Sequence, residues 1–260
     1  MNWLRSIPGL SSLAGSRPIP ETLWLQTLQN HAFLQQLPED QKTRLRGLAS
    51  DFLAHKEFSG AHGLEISDEM AVAIAAQACL PVLHLGLKLY DDFKGIVVHP
   101  AAMLARREVA DVAGVVHRYS EALAGEAMQH GPVALSWEDV AASGDSAQRG
   151  HNVVIHEFVH KIDMREGHPN GCPPLPSRAA KAAWQTVMQQ AYAMFRKQVV
   201  MTERFGAEPP WLDSYGAQSP VEFFAVAAEA YFVNRPQFET DFPDVAVLFD
   251  GFFGFKQTPV

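Results

Sequence analysis

Residues 151–163 have the sequence HNVVIHEFVHKID and contain the pattern His156-Glu157-x-x-His160. On a helix, residues four apart lie on one face, so the two imidazole rings can point towards one position. Two neutral imidazoles at this spacing suit Zn²⁺, and a carboxylate beside the first of them can take a proton from an activated water. The pattern therefore predicts a helix that carries a metal site.

The surroundings of this pattern make a chance match on a solvated helix face the weaker interpretation. The segment is strongly apolar, with Val153, Val154, Ile155, Phe158, Val159 and Ile162. Two histidines and a glutamate inside a core helix are unfavourable unless they are paired or bind a metal. Gly150 and Asn152 can begin this helix, and Gly167 with Pro169 can end it.

The composition is that of a globular protein with a sizeable core. Of the 260 residues, 47% are hydrophobic and 19% are charged, and the formal net charge is −8. There is no basic run, so nucleic-acid binding is not expected, because phosphate contacts need clustered Lys and Arg. The two cysteines, Cys79 and Cys172, are far apart and have no metal-binding spacing, which favours a reducing compartment.

The N-terminal residues lack the continuous apolar segment of a signal peptide, since Pro8, Ser11 and Ser12 interrupt it. We expect residues 1–18 to be a flexible lead-in and residues 19–260 to form a single domain. A transmembrane span needs about eighteen consecutive apolar residues. The sequence has no such run, so we expect no membrane partner and a cytoplasmic location.

Helical periodicity predicts helices over residues 20–32, 38–56 and 68–90, the last broken or kinked at Pro81. His84 lies on the apolar surface of this last segment, where a hydrogen-bonded core histidine is the expected environment.

Two other histidines of the N-terminal half, His31 and His62, are interpreted as solvated loop residues. Gly144, Asp145 and Ser146 are interpreted as a loop that leads into the metal helix.

Short strands are predicted at residues 95–99, 114–117 and 132–137. An extended peptide can bind by adding a strand to a sheet edge. Residues 132–136 are either such an edge or a buried central strand, and the sequence leaves both open. Together with the helices, these strands predict an α+β fold that is mainly helical, with a small mixed sheet beside the metal helix.

The C-terminal third contains three further predicted helices, over residues 178–203, 219–233 and 243–255. The second of them begins with a capping box, in which Ser219 is the N-cap and Glu222 lies three residues later.

A catalytic zinc needs a third protein ligand and an open position. The longer pattern H-E-x-x-H-x-x-G-x-x-H is absent, and the carboxylate candidates are Asp163, Glu166, Glu222 and Glu229. Glu222 and Glu229 share one face of an apolar helix, where a carboxylate needs a partner. For Glu222 that partner could also be its own helix terminus, through the capping box.

The blocks HEFVHKID and DSYGAQSPVEFFAVAAEAYF resemble the Mlc titration factor A family of bacterial zinc-dependent peptidases. More distantly, they resemble the catalytic domain of anthrax lethal factor. The resemblance implies a zincin-like peptidase fold and one Zn²⁺ per chain, held by His156, His160 and Glu222. It also places Tyr215 at the position of an active-site tyrosine, which can donate a hydrogen bond to an oxyanion.

The family resemblance implies a metallopeptidase, with aminopeptidase as the expected subclass. Glu157 would act as the general base towards a zinc-activated water that attacks a peptide substrate. The alternative is a regulatory protein that binds and inactivates an Mlc-type glucose repressor, with peptidase activity secondary.

Several neighbouring residues remain candidates for supporting roles. Asp163, Glu229 and Asn152 could orient the metal-binding histidines through their distal ring nitrogens. A closed structural zinc site would need a fourth protein ligand, for which His151 and His168 are the nearby candidates.

Overall fold

The computed structural model describes residues 16–110 and 116–255 of the chain. The α-helices of this part, in chain order, are α1 (Glu21–Asn30), α2 (Ala32–Gln35), α3 (Glu39–His55), α4 (Asp68–Cys79), α5 (Trp137–Ser146), α6 (Val153–Asp163), α7 (Arg178–Phe205), α8 (Pro220–Val233), α9 (Arg235–Asp241) and α10 (Pro243–Phe253). The helices predicted over residues 20–32, 38–56, 178–203, 219–233 and 243–255 are thus confirmed to within a few residues, apart from a break at His31 between α1 and α2. For the described residues, every helix is too short or too polar for a transmembrane span.

The strands are β1 (Glu57–Gly60), β2 (Gly95–His99), β3 (Met103–Ala110), β4 (Val116–Leu123), β5 (Gly125–Ala127) and β6 (Val133–Ser136). Four of them form one sheet in the order β1-β2-β6-β5, in which β5 alone runs antiparallel to its neighbour. The predicted α+β fold, mostly helical with a small mixed sheet, is confirmed. Strands β3 and β4 pair as a separate antiparallel hairpin, and β3 was not predicted.

The prediction of residues 132–136 as a sheet edge was wrong. Strand β6 lies between β2 and β5, and all four of its residues are buried, as the alternative of a central strand required. The edge beside the metal helix is β5. The predicted strand at 114–117 is only partly within the described residues, which resume at position 116.

Two further predictions about local structure were wrong. After α4 the chain does not form a second α-helix, but turns and a short 3₁₀ helix, Leu87–Tyr90. Pro81 lacks an amide hydrogen, and Gly86 adopts a positive φ of 85°, so both interrupt helical hydrogen bonding. Residues 144–146 belong to α5 rather than to a loop, because Ser136 caps that helix through the Asp139 amide.

Helix α6, which carries His156 and His160, is packed between the two halves of the chain. Its Phe158 contacts Phe52, Tyr90 and Phe93, with ring centroids 5.1–5.9 Å apart. On the C-terminal side, α6 packs against α8. One cluster of buried side chains extends from Ile19 to Phe253, although a single domain over residues 19–260 stays a prediction.

The N-terminal histidines differ from expectation at two of three positions. His31 is buried rather than solvated, and its ring bonds to the Thr27 carbonyl oxygen and to Ser143 Oγ. His84 is half-buried and packs edge-on against Phe255, and its Nε2 atom has no hydrogen-bond partner within the described residues. His62 is exposed, as predicted.

Candidate metal centre

The start of α6 is fixed by Asn152, whose side-chain oxygen accepts a hydrogen bond from the Ile155 amide at 2.9 Å. From this cap, the helix places His156 and His160 one turn apart on one face, with ring centroids 4.6 Å apart. Phe158 projects into the core instead. The local sequence therefore decides which face of the helix carries the imidazoles.

Helix α8 brings Glu222 to this face. Its Oε2 atom lies 3.1 Å from His156 Nε2 and 3.3 Å from His160 Nε2, and the two Nε2 atoms are 3.0 Å apart. Within the described residues, these three form the one cluster of histidine, cysteine and carboxylate side chains with metal-binding geometry. Ligands of a tetrahedral zinc lie about 2.0–2.2 Å from the metal and hence about 3.3–3.6 Å from one another. The observed triangle has nearly that size.

Glu229 determines the hydrogen-bonding state of His156. Its Oε1 atom is 2.6 Å from His156 Nδ1, and its Oε2 atom accepts the Asn152 amide hydrogen at 2.5 Å. A proton on Nδ1 directs the Nε2 lone pair of a neutral imidazole towards Glu222 and His160. The Nε2 lone pairs of the two histidines and the Glu222 carboxylate then converge on one point, where they would repel one another without a positive charge. These residues therefore fit a metal ion.

Gln77 completes this network and was missed in the sequence. Its Oε1 atom accepts a hydrogen bond from Asn152 Nδ2 at 2.8 Å, and both side chains are almost fully buried. The signal was present, because Gln77 is a polar residue in the otherwise apolar run of α4 and needs a partner there.

The pKa values of His156 and Glu222 are shifted because these charged and polar groups lie so close together. Burial alone would lower the pKa of His156, but Glu229, Glu222 and Glu157 together raise it well above its ordinary value. Burial would raise the pKa of Glu222, but hydrogen bonds and charges from His156 and His160 hold it well below its ordinary range. The site thus stabilises a positive charge between the imidazoles and Glu222.

Glu157 is next to His156 in the chain, is 5% exposed, and lies close to Gly125 of β5. A Cβ atom added to Gly125 would lie 2.6 Å from both Cγ and Oε1 of Glu157, so a larger residue at that position would displace the Glu157 side chain. Burial raises the pKa of Glu157, and the two histidines oppose this shift. A buried carboxylate with a raised pKa is suited to accept a proton.

A cleft of about 680 Å³ opens on one side of the triangle, and His156, Glu157 and Tyr215 are among its lining residues. Tyr215 belongs to the 3₁₀ helix Ser214–Ala217, and its ring centroid lies 6.0 Å from that of His156. Asp213 fixes this turn, because its Oδ1 atom accepts the Tyr215 amide hydrogen at 2.9 Å. Three of the five predicted site residues, His156, Glu157 and Tyr215, therefore line one cleft, and His160 and Glu222 adjoin it through their contacts with His156.

The candidates for a fourth ligand do not join the cluster. His151 Nδ1 lies 3.2 Å from Asp213 Oδ2, and His168 is exposed. The described residues therefore give a cluster with three ligand groups, as a metal site with an open position requires.

Three other carboxylate and amide candidates serve other roles. Both Asp163 oxygens accept main-chain N–H groups, from Asn170, Gly171 and Cys172 at 2.8–3.1 Å, so this residue organises the loop after α6 rather than a histidine. Glu166 pairs with Lys181. Asn152 reaches the His156 ring only through Glu229, so the predicted direct contact of its side chain with an imidazole nitrogen was wrong.

The chain matches the family of glucose-regulated metallopeptidases M90 over residues 5–254. It is also similar to proteins named Mlc titration factor A from Yersinia pestis (strain Pestoides F) and Yersinia pseudotuberculosis serotype O:1b (strain IP 31758). Each of these is 34% identical to the chain over 248 residues, which are 94% of this chain and 88% of the relative.

Proposed function

Because the chain belongs to the family of glucose-regulated metallopeptidases M90, we propose that it is a zinc-dependent peptidase with a zincin-like site. The observation that carries the proposal is the triangle of ligand atoms from His156, His160 and Glu222, with Glu157 beside it. These three residues would hold one Zn²⁺. When bound, the metal supplies Lewis acidity and lowers the pKa of water to about 7.

Glu157 is the proposed general base. It accepts a proton as water attacks the peptide carbonyl carbon, and it then passes that proton to the leaving amine. Its burial against Gly125 holds the carboxylate in one place and keeps bulk water from it.

Tyr215 is the proposed hydrogen-bond donor to the oxyanion that forms on the carbonyl oxygen. Its position at the cleft, on a turn capped by Asp213, supports this role. A side chain on a fixed turn needs little reorganisation as charge develops.

Strand β5 is the proposed binding edge for an extended peptide. The Ala124 carbonyl accepts the amide hydrogen of Ser136 in β6, and the Met128 amide donates to the carbonyl of Pro132 just before β6. Main-chain groups of an antiparallel strand alternate in direction, so those of Gly125 and Ala127 point away from β6. A substrate that adds a strand there would pass directly beside Glu157.

An aminopeptidase is the proposed subclass. Besides the residues already assigned, the cleft is lined by the carboxylates of Asp139, Glu203 and Asp213 and by the guanidinium of Arg149. This excess of negative charge favours the free amino group of a peptide. The proposed location is the cytoplasm, which is consistent with the two free cysteines.

The test is a cleavage screen of peptides and amino-acid anilides with the zinc-loaded protein and its Glu157→Gln variant. We expect the variant to bind zinc and to lose about 10²–10⁴-fold in kcat, because the base is removed and the ligands remain. Glu166→Gln, which changes an exposed glutamate paired with Lys181, is the control and should retain full activity. Failure of the zinc-loaded wild-type protein to cleave any of these compounds contradicts the proposal.

A second candidate function comes from the name of the relatives, Mlc titration factor A. We propose as the alternative that this chain binds an Mlc-type repressor, with hydrolysis secondary. Binding of purified repressor by Glu157→Gln, measured by calorimetry, separates the two functions. Binding that persists without hydrolysis supports the alternative, and absence of binding by the wild-type protein excludes it.

A further inference from the structure

Lys161 follows His160 on α6 and is completely buried. Its Nζ atom donates hydrogen bonds to the carbonyl oxygens of Met128 at 2.7 Å and Gly131 at 3.0 Å. These two residues belong to the turn that joins β5 to β6. The ammonium group also lies 4.3 Å from the centroid of the Phe93 ring.

We propose that Lys161 is a positioning residue that fixes the edge strand β5 along the metal helix and so sets the place of an extended substrate. This inference rests on the proposed peptidase function. Lys161 contacts none of the three metal-binding side chains through a hydrogen bond, and it acts through the main chain of β5.

The burial of Lys161 supports this role. Moving an ammonium group out of water is unfavourable, and a methionine of similar length would pack in the same space without that penalty. What methionine lacks is a donor for the two turn carbonyls: that of Gly131 would lose its hydrogen bond to Lys161, and that of Met128 would keep only the Gly131 amide. The lysine therefore contributes a specific connection that an apolar side chain cannot make.

The geometry of α6 explains how one lysine can orient the whole strand. Glu157 and Lys161 are four residues apart and hence lie on one face of the helix. Glu157 contacts Gly125 at the beginning of β5, and Lys161 holds the turn at its end. Strand β5 is therefore held at two points on the same helix face, next to the general base.

The turn between β5 and β6 also depends on the hydrogen bonds from Lys161. His130 adopts a positive φ of 54°, which is uncommon for a residue other than glycine. The Gly131 amide donates to the Met128 carbonyl at 3.1 Å, and the same carbonyl accepts from Lys161. Loss of the ammonium group would thus loosen both the turn and the end of β5.

Lys56 provides a matched control within the same chain. Its Nζ atom also donates to two main-chain carbonyls, those of Tyr90 at 2.5 Å and Phe93 at 2.6 Å. It also lies over the Phe93 ring, 3.8 Å from the centroid. Neither of its two carbonyl partners belongs to β5 or to the β5–β6 turn, so its removal tests the loss of a comparable lysine elsewhere.

The experiment compares Lys161→Met and Lys56→Met in the full-length zinc-loaded protein. For Lys161→Met we expect unchanged zinc content, a KM for peptide raised about tenfold with kcat changed far less, and faster amide hydrogen exchange at residues 125–131. For Lys56→Met we expect the wild-type KM and wild-type exchange in β5. If Lys161→Met does not fold, Lys161→Gln, which retains an N–H donor, takes its place in the same comparison.

A wild-type KM together with wild-type exchange in β5 would overturn the proposal, and so would an equal rise in KM for Lys56→Met. The exchange measurement needs no turnover. If the wild-type protein cleaves no peptide, the proposed function fails, but exchange in β5 still decides whether Lys161 holds the strand.

Discussion

Glu222 and Glu229 lie two turns apart on one face of α8, and their carboxylates approach opposite nitrogens of the same imidazole, His156. Glu222 is in the first helical turn, with 21% of its side chain exposed, and faces Nε2. Glu229 lies deeper, with 8% exposed, and faces Nδ1. Depth along the helix therefore separates the two roles: the more exposed carboxylate can serve a metal that also needs an open position, and the more buried one fixes the tautomer.

The helix terminus makes the position of Glu222 favourable as well as accessible. Ser219 Oγ accepts the Glu222 amide hydrogen at 3.1 Å, so the N-cap uses the main chain of this residue and leaves its carboxylate to the histidines. A negative charge in the first turn is also stabilised by the helix dipole. Capping and metal binding are thus compatible, because the first uses the main-chain amide of Glu222 and the second would use its carboxylate.

Glu222→Ala should have the largest effect on the metal site. It removes one of three proposed ligands and leaves two imidazoles, so we expect zinc affinity to fall by more than the roughly 10²-fold typical of lost supporting residues. Metal analysis after dialysis, together with peptide cleavage, measures the loss. Glu166→Ala should retain stoichiometric zinc. Wild-type zinc content and activity in Glu222→Ala would show that this glutamate is not a ligand, and the proposed difference in role between Glu222 and Glu229 would then be wrong.

Glu229→Gln should have a smaller effect on the same quantity. The amide cannot accept from both His156 Nδ1 and the Asn152 amide as the carboxylate does, and an NH₂ group facing Nδ1 favours the tautomer with its proton on Nε2. We expect a loss of about 10–100-fold in zinc affinity, measured by competition with a chelator. A loss equal to that of Glu222→Ala would show that depth along α8 does not separate the two roles.

The features that the sequence predicted are those that depend on residues close together in the chain. The caps at Asn152 and Ser219 each act on an amide three residues later, and both were predicted and are present. The histidine spacing on α6 is likewise local. Glu222 lies far from these histidines in the chain, and it could be assigned to the same metal site only because two blocks of sequence together resemble one family.

The missed features depend on contacts between distant segments. Strand β5 has only three residues, Gly125-Glu126-Ala127, with weak strand propensity, and its place follows from pairing with β6 and packing on α6. His31 follows α1 and looks like a loop residue, yet its ring reaches Ser143 on α5. Neither contact leaves a local pattern.

Asp163→Asn should change metal affinity least, and it tests whether burial near the histidines is sufficient for a supporting role. Asp163 is as deeply buried as Glu229, and it lies on the metal helix itself, but its oxygens accept three main-chain N–H groups of the following loop. Asparagine offers one acceptor oxygen, so at least one of these three N–H groups loses its partner. We expect the free energy of unfolding of the zinc-loaded protein to fall by about 1–3 kcal/mol in urea denaturation, with unchanged zinc affinity. A drop in zinc affinity like that of Glu229→Gln would mean that any buried carboxylate beside the histidines supports the metal, and that the contact with His156 Nδ1 is not what distinguishes Glu229.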